Sequence, residues 1–261
     1  DFIPKPDAQF ASVEKFIEAL IEKIKIASRA KIVQPVNMPA GAEPAGAGST
    51  PGEPSAPQAD AKPSGAAPKL IAIGASTGGT EAIHTLLKGL PTHVPGIVIV
   101  QHIPSKFSRM FAERLNESLA FRVKEAETGD PVESGTVLIA PGDRHMRVKR
   151  AGDQFKVVCF PGEKVNRHCP SIDVLFESVA QEAGNRSIGI ILTGMGYDGA
   201  RGLLAMRRKG ARTIGQDQAS SVVYGMPKAA YDLGAVEKQC SLAAMPHVLC
   251  RMLQTSVNTQ G

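Results

Sequence analysis

From residue 69 onward, short apolar runs alternate with amphipathic helical patterns, and this alternation restricts the fold more than any other feature of the chain. Apolar runs cover 69–74, 96–101, 136–140, 187–193 and 211–215. Each has the length and continuity of a strand buried on both faces. Helical spacing covers 80–90, 106–119, 171–182, 199–209, 227–233 and 242–253. Strands alternating with helices build crossover units, which predicts an α/β domain whose mostly parallel sheet is covered on both faces. One stretch breaks the rhythm. Residues 146–150 and 154–160 flank Ala151-Gly152-Asp153, a Gly-containing turn that predicts an antiparallel β-hairpin insertion.

The chain has 261 residues, 43% of them hydrophobic, enough for one well-buried domain and something smaller. Composition changes abruptly over 36–68, where Pro, Ala, Gly and Ser dominate, as in a flexible linker. Ahead of it, Val13, Phe16, Ile17, Leu20, Ile21 and Ile24 place one apolar stripe on a helix over 12–28. No window of eighteen consecutive apolar residues occurs, and no basic-then-apolar leader opens the sequence, so no membrane insertion and a cytoplasmic setting are expected. Cys159, Cys169, Cys240 and Cys250 form no C-x-x-C pair and read as core or surface thiols, not as a metal site or disulfide framework. The net charge of +5 is dispersed, and the chain has no tryptophan to stack on bases, so no nucleic-acid partner is expected.

Chemistry concentrates where strands end. Gly74-Ala75-Ser76-Thr77-Gly78-Gly79 is a G-x-S-x-G arrangement between a strand and a helix. Small neighbours allow a tight turn that lifts the Ser76 hydroxyl beside backbone N–H groups at a helix start, where an oxyanion is stabilised. The same turn suits phosphate binding, but Thr80 stands where a P-loop needs lysine, and G-x-G-x-x-G is not met. Parallel strands end side by side, so the run over 96–101 delivers His102 to the same rim, and the run over 187–193 delivers Asp198. Nucleophile, base and orienting carboxylate then converge. An aspartate before a glycine and a helix also reads as an N-cap, and Asp198 is open to both roles. The other histidines compete poorly: His84 and His93 lie on or after the first helix, His247 in the last, and His145 and His168 in loops around the hairpin.

Six ordered motifs carry a resemblance across nearly all of 69–255: IGASTGG with Ser76, VQHIP with His102, IAPGDRHM, NRHCPSIDVLF, TGMGYDGA and SSVVYGMPKAA. Together they resemble the catalytic domain of the chemotaxis response-regulator protein-glutamate methylesterases. The resemblance implies a Rossmann-like three-layer domain with a catalytic triad at Ser76, His102 and Asp198. It implies hydrolysis of glutamate γ-methyl esters on methyl-accepting chemoreceptors, releasing methanol, often with deamidation of receptor glutamines, and no metal or organic cofactor. Thr77 and Met195 match positions near the nucleophile and become the candidates for oxyanion stabilisation through backbone N–H groups. Asp1 to Pro6 resemble the last strand and Lys-Pro turn of a receiver domain, with the 12–28 helix as its final helix. That implies a receiver remnant over 1–35, a linker over 36–68, the catalytic domain over 69–255 and a tail over 256–261. It also implies an upstream receiver domain and its histidine kinase in the full-length protein; a linker helix after an irregular tail is the alternative. Tyr197 and Cys169 depart from the family's usual small and basic residues, which bears on receptor preference and not on the triad. Two rival functions use the same residues: a small-molecule esterase or amidase, and a non-catalytic module binding an anion at the Ser76 turn.

Overall fold

The computed structural model describes residues 69–255; the expected receiver remnant over 1–35, the linker over 36–68 and the tail over 256–261 lie outside them. Strand β1 (Leu70–Ala75) is buried at every position, as are β2 (Gly96–Gln101), β4 (Thr136–Ile139) and β7 (Ser187–Ile191). β-Branched runs of this kind sit in the middle of a sheet because both of their faces meet helices. With β3 (Arg122–Glu125), β8 (Arg212–Gln216) and β9 (Lys238–Cys240) they form a seven-stranded sheet of order β3-β4-β2-β1-β7-β8-β9. Every pairing in it is parallel. The hairpin β5 (His145–Ala151) and β6 (Gln154–Phe160) forms a separate antiparallel pair.

Side-chain alternation along the strands divides the core in two. On one face, Leu70, Ala72, Val98 and Val100 pack with Met146, Val148, Phe155 and Val157 of the hairpin. The same cluster contains Leu175 and Phe176 of one helix, Leu203 and Met206 of another, and Ala230 of a third. On the other face, Ile71, Ile73, Ile97 and Ile99 pack with Ile83, Leu86, Phe111, Leu115, Met245 and Leu249. The helices are α1 (Gly79–Lys88), α2 (Ser105–Ser118) and α6 (Met245–Thr255) on this second face, and α3 (Ile172–Glu182), α4 (Ala200–Arg208) and α5 (Met226–Asp232) on the first. The result is the predicted three-layer α/β domain. Each fully buried Ile or Leu in these clusters contributes about 1.5–3 kcal/mol relative to exposure.

Two strands escaped the sequence reading. Both are edges: β3 reads RVKE and β9 reads KQC, too short and too charged to show an apolar run. The sheet order also reverses at β1. The chain runs from β1 outward through β2 to one side, and β7, β8 and β9 fill the other. In such a sheet the crevice for a ligand opens beyond the carboxyl ends of the strands at the reversal, which here is the junction of β1, β2 and β7.

The loop after β4 supports that junction from below the helix that follows His102. Gly142 donates its N–H to the Ser108 hydroxyl of α2 at 3.0 Å, and an added Cβ would lie 2.5 Å from the Ser105 backbone nitrogen. Backbone cannot move aside as a flexible side chain can. Gly142→Ala is expected to destabilise the domain by about 1–3 kcal/mol, lowering Tm by roughly 3–10 °C in a thermal melt.

Candidate active site

Ser76 follows directly on β1, and its backbone is held from both sides. Its N–H donates to the Thr193 carbonyl beyond β7 at 3.0 Å, while the Ala75 carbonyl accepts the His102 N–H at 3.0 Å. The ends of three parallel strands are therefore stitched together around the serine. Gln101, buried at the end of β2, donates from Nε2 to the Ser76 carbonyl at 2.9 Å and to the His102 carbonyl at 3.1 Å. Gly79 lets α1 begin against this amide: an added Cβ would meet both the Gln101 side chain and the Ala75 methyl. Gly78, at φ 78°, completes the strand-to-helix turn in the left-handed region where glycine is unstrained.

The third strand end brings the carboxylate. Thr193 donates its N–H to Gln216 Oε1 at 2.8 Å, and its hydroxyl donates to the Thr77 carbonyl at 2.9 Å. Gly194 then passes so close to Ser76 that an added Cβ would lie 2.7 Å from Ser76 Cβ. The loop of the SSVVYGMP motif closes this side, with Gly194 donating to the Val223 carbonyl and accepting from Met226. Thr77 is exposed, as is Met195 at 53%. Neither backbone N–H is taken up by another protein group among the described residues, which leaves both available at the rim.

Asp198 is buried and bonded to His102, whose Nε2 lies 2.8 Å from Asp198 Oδ2. His102 Nδ1 is also buried and has no hydrogen-bond partner. A carboxylate accepts only, so this contact puts the ring proton on Nε2 and leaves the lone pair on Nδ1.

The capping alternative for Asp198 holds too, in an unexpected form. Asp198 caps a neighbouring helix instead of the one it precedes. Its Oδ2 accepts the Ile172 N–H at 2.7 Å and its Oδ1 the Asp173 N–H at 3.3 Å, both in the first turn of α3. Asp173 returns the contact, its Oδ1 accepting the Gly202 N–H of α4 at 2.7 Å. The two helices cap one another through carboxylates.

Ser171 and Asn166 complete the shell, donating to Asp198 Oδ1 at 2.8 and 2.7 Å. Burial alone pushes the Asp198 carboxyl up; the hydrogen bonds from His102, Asn166, Ile172 N–H and Ser171 outweigh it and hold the group at about 2. Burial pushes the Asp173 carboxyl the other way, upward, with the Asp198 charge adding to it.

Of the two histidines expected in loops around the hairpin, His168 lies in one, and His145 does not. His145 opens β5 and is buried, its Nε2 donating to the Glu163 carbonyl at 2.8 Å and its Nδ1 accepting the Ser171 N–H at 3.2 Å. It thereby fixes the serine that holds Asp198. His168 stacks on His102, ring centroids 3.7 Å apart and planes within 10°. Gln101, Asn166 and Ser171 were present in the motifs but had no assigned role. Tyr197 is 54% exposed at the rim, and Cys169 is half-buried, its thiol pushed up by burial and by Asp143.

Comparison with known proteins identifies the family. The CheB methylesterase family model matches residues 71–249. The protein-glutamate methylesterase/protein-glutamine glutaminase 2 of Syntrophomonas wolfei is 51% identical over 258 residues, covering 97% of this chain and 70% of that protein. A protein of the same name from Hahella chejuensis is 54% identical over 184 residues, 70% of this chain and 50% of its own. The crystal structure of the Thermotoga maritima CheB methylesterase catalytic domain superposes with a TM-score of 0.69 at 33% identity, covering 72% of this chain and all of that one. The chain belongs to the CheB methylesterase family.

Proposed function

We propose that this chain is a protein-glutamate methylesterase that hydrolyses glutamate γ-methyl esters on chemoreceptors and deamidates receptor glutamines, with Ser76, His102 and Asp198 as its triad. The observation that carries the reading is the 2.8 Å bond from His102 Nε2 to Asp198, which leaves a buried, unpartnered Nδ1 on the ring beside the Ser76 strand end. Names shared by relatives at about half identity support the substrate class. The exposed side chains of Met195, Tyr197 and Val222 around Ser76 support a protein segment as substrate, since they offer an open apolar rim to a docking helix.

In this reading His102 Nδ1 takes the Ser76 hydroxyl proton as Oγ attacks the ester carbonyl. Asp198 stabilises the imidazolium that forms and holds its tautomer. The tetrahedral oxyanion accepts hydrogen bonds from the Thr77 and Met195 backbone N–H groups. Collapse expels methanol, which leaves with the proton from Nδ1. Water then gives a proton to Nδ1 and attacks the acyl-enzyme, releasing the glutamate carboxylate and restoring Ser76. For a glutamine the leaving group is ammonia, protonated by the same nitrogen. No step requires a metal or an organic cofactor.

Treating the folded protein with a serine-directed phosphonate and locating the adduct by mass spectrometry tests the nucleophile: modification at Ser76 is expected. An unmodified Ser76 favours the anion-binding alternative. Methanol release from methylated receptor fragments but not from simple esters is the expected substrate pattern, and the reverse pattern favours a small-molecule esterase.

A further inference from the structure

Residues Val165 to His168 form a two-residue hairpin turn that touches both partners of the histidine–carboxylate pair. Val165 N–H donates to the His168 carbonyl at 3.0 Å, and His168 N–H returns to Val165 at 2.9 Å. The two central residues, Asn166 and Arg167, have φ of 51° and 70°. Both are left-handed, as a primed turn demands, although only Asn is a favoured non-glycine residue there. The turn directs its first central residue inward. Asn166 Nδ2 donates to Asp198 Oδ1 and to Asp173 Oδ2, 2.7 Å in each case, so one neutral amide spends both its hydrogens on two buried carboxylates. The closing residue of the turn, His168, lies flat on one face of His102.

We propose that this turn is the clamp that keeps the His102–Asp198 pair in its working geometry, with Asn166 the positioning residue for the carboxylate and His168 the positioning residue for the imidazole. The inference rests on the triad reading above. Asp198 fixes one edge of the His102 ring, but a single hydrogen bond leaves the ring free to rock about that contact. A parallel ring at 3.7 Å removes that freedom. It also sets a charge condition. His102 becomes imidazolium during both halves of the reaction, and a second cation stacked on it would oppose that charge at close range. The titratable groups whose charges reach His168 are His102, Asp198 and Lys164. Burial, followed by the neighbouring His102 ring, pushes His168 down from its ordinary value, which keeps it neutral while its partner works.

The test uses the whole chain and methanol release from methylated receptor fragments, followed across pH for three variants at one position. His168→Ala is expected to lose roughly tenfold or more in kcat with KM little changed, because the ring is freed while the docking surface is not. His168→Phe, which restores an uncharged stack, is expected to recover most of that loss. His168→Arg puts a planar permanent cation on the His102 face; it is expected to lose about a hundredfold in kcat and to move the acid limb of the rate profile to lower pH. A purely structural role would not move that limb. Thermal melts of each variant accompany the kinetics, and if His168→Ala does not fold, the Phe and Arg variants, which fill the same space, decide the matter. An unshifted acid limb in His168→Arg, or a His168→Ala kcat within twofold of wild type, overturns the proposal. Ser76→Ala run alongside separates the two levels: if it stays active the triad reading fails, and if it is inactive while the His168 series is silent only the clamp fails.

Discussion

Replacing Ser76 by alanine is expected to lower kcat by about 10⁴–10⁶, and His102→Ala by about as much. The equality is the informative part. In the proposed mechanism Ser76 Oγ is a poor nucleophile until a base takes its proton, and His102 Nδ1 does nothing for the reaction without a hydroxyl to deprotonate. Removing either therefore forfeits the same step, and the double variant is expected to be no slower than the worse single one. Steady-state methanol release for the three variants checks this. A His102→Ala protein with more than roughly a tenth of the wild-type rate would sink the triad.

Asp198→Asn is expected to lower kcat by about 10³–10⁴ and to destabilise the fold at the same time. Donors surround both carboxylate oxygens: His102 and Ile172 N–H face Oδ2, while Ser171, Asn166 and Asp173 N–H face Oδ1. An asparagine amide must therefore point its NH₂ at donors whichever way it turns. Turned toward His102, it forces that ring to accept at Nε2 and carry its proton on Nδ1, where it can no longer take the Ser76 proton. Stability has its own pH signature. Asp198 sits at about 2, below the ordinary carboxyl value of 3.8, so its charged form stabilises the folded state by roughly 2–3 kcal/mol above about pH 5. That contribution falls away as the pH drops through 3.8 toward 2. In urea titrations the stability gap between wild type and Asp198→Asn is expected to be widest near pH 6 and to shrink steadily below pH 4. A gap independent of pH would show that the carboxylate is not charged in the native protein.

The central strands were legible in the sequence because each is a continuous apolar run, and burial on both faces leaves no polar position to interrupt it. The edges were not, since RVKE and KQC carry charge for the solvent side and have too few residues to show a period. The convergence of Ser76, His102 and Asp198 on one rim was legible for a related reason: a parallel sheet turns the ends of separate runs into neighbours. Their supports were not. Gln101 reaches Ser76 across 25 residues, Asn166 reaches Asp198 across 32, and Ser171 across 27, each through one side chain with no periodic trace. His168 was passed over because its direction depends on Asn166 and Arg167 both adopting left-handed backbone, and Asn-Arg gives no glycine signal for such a turn.

The mutual capping of α3 and α4 reaches beyond the reaction itself. Active-site residues are commonly a burden on the fold, strained or poorly satisfied, so their removal tends to gain stability as function is lost. Asp198 has no such tension. The oxygens that orient His102 are the same ones that close the first turn of a buried helix, and Asp173 answers from the other side. A lineage that lost the esterase function would find no stabilising replacement at this position waiting for it. Disuse would leave this carboxylate under selection for the sake of the domain alone.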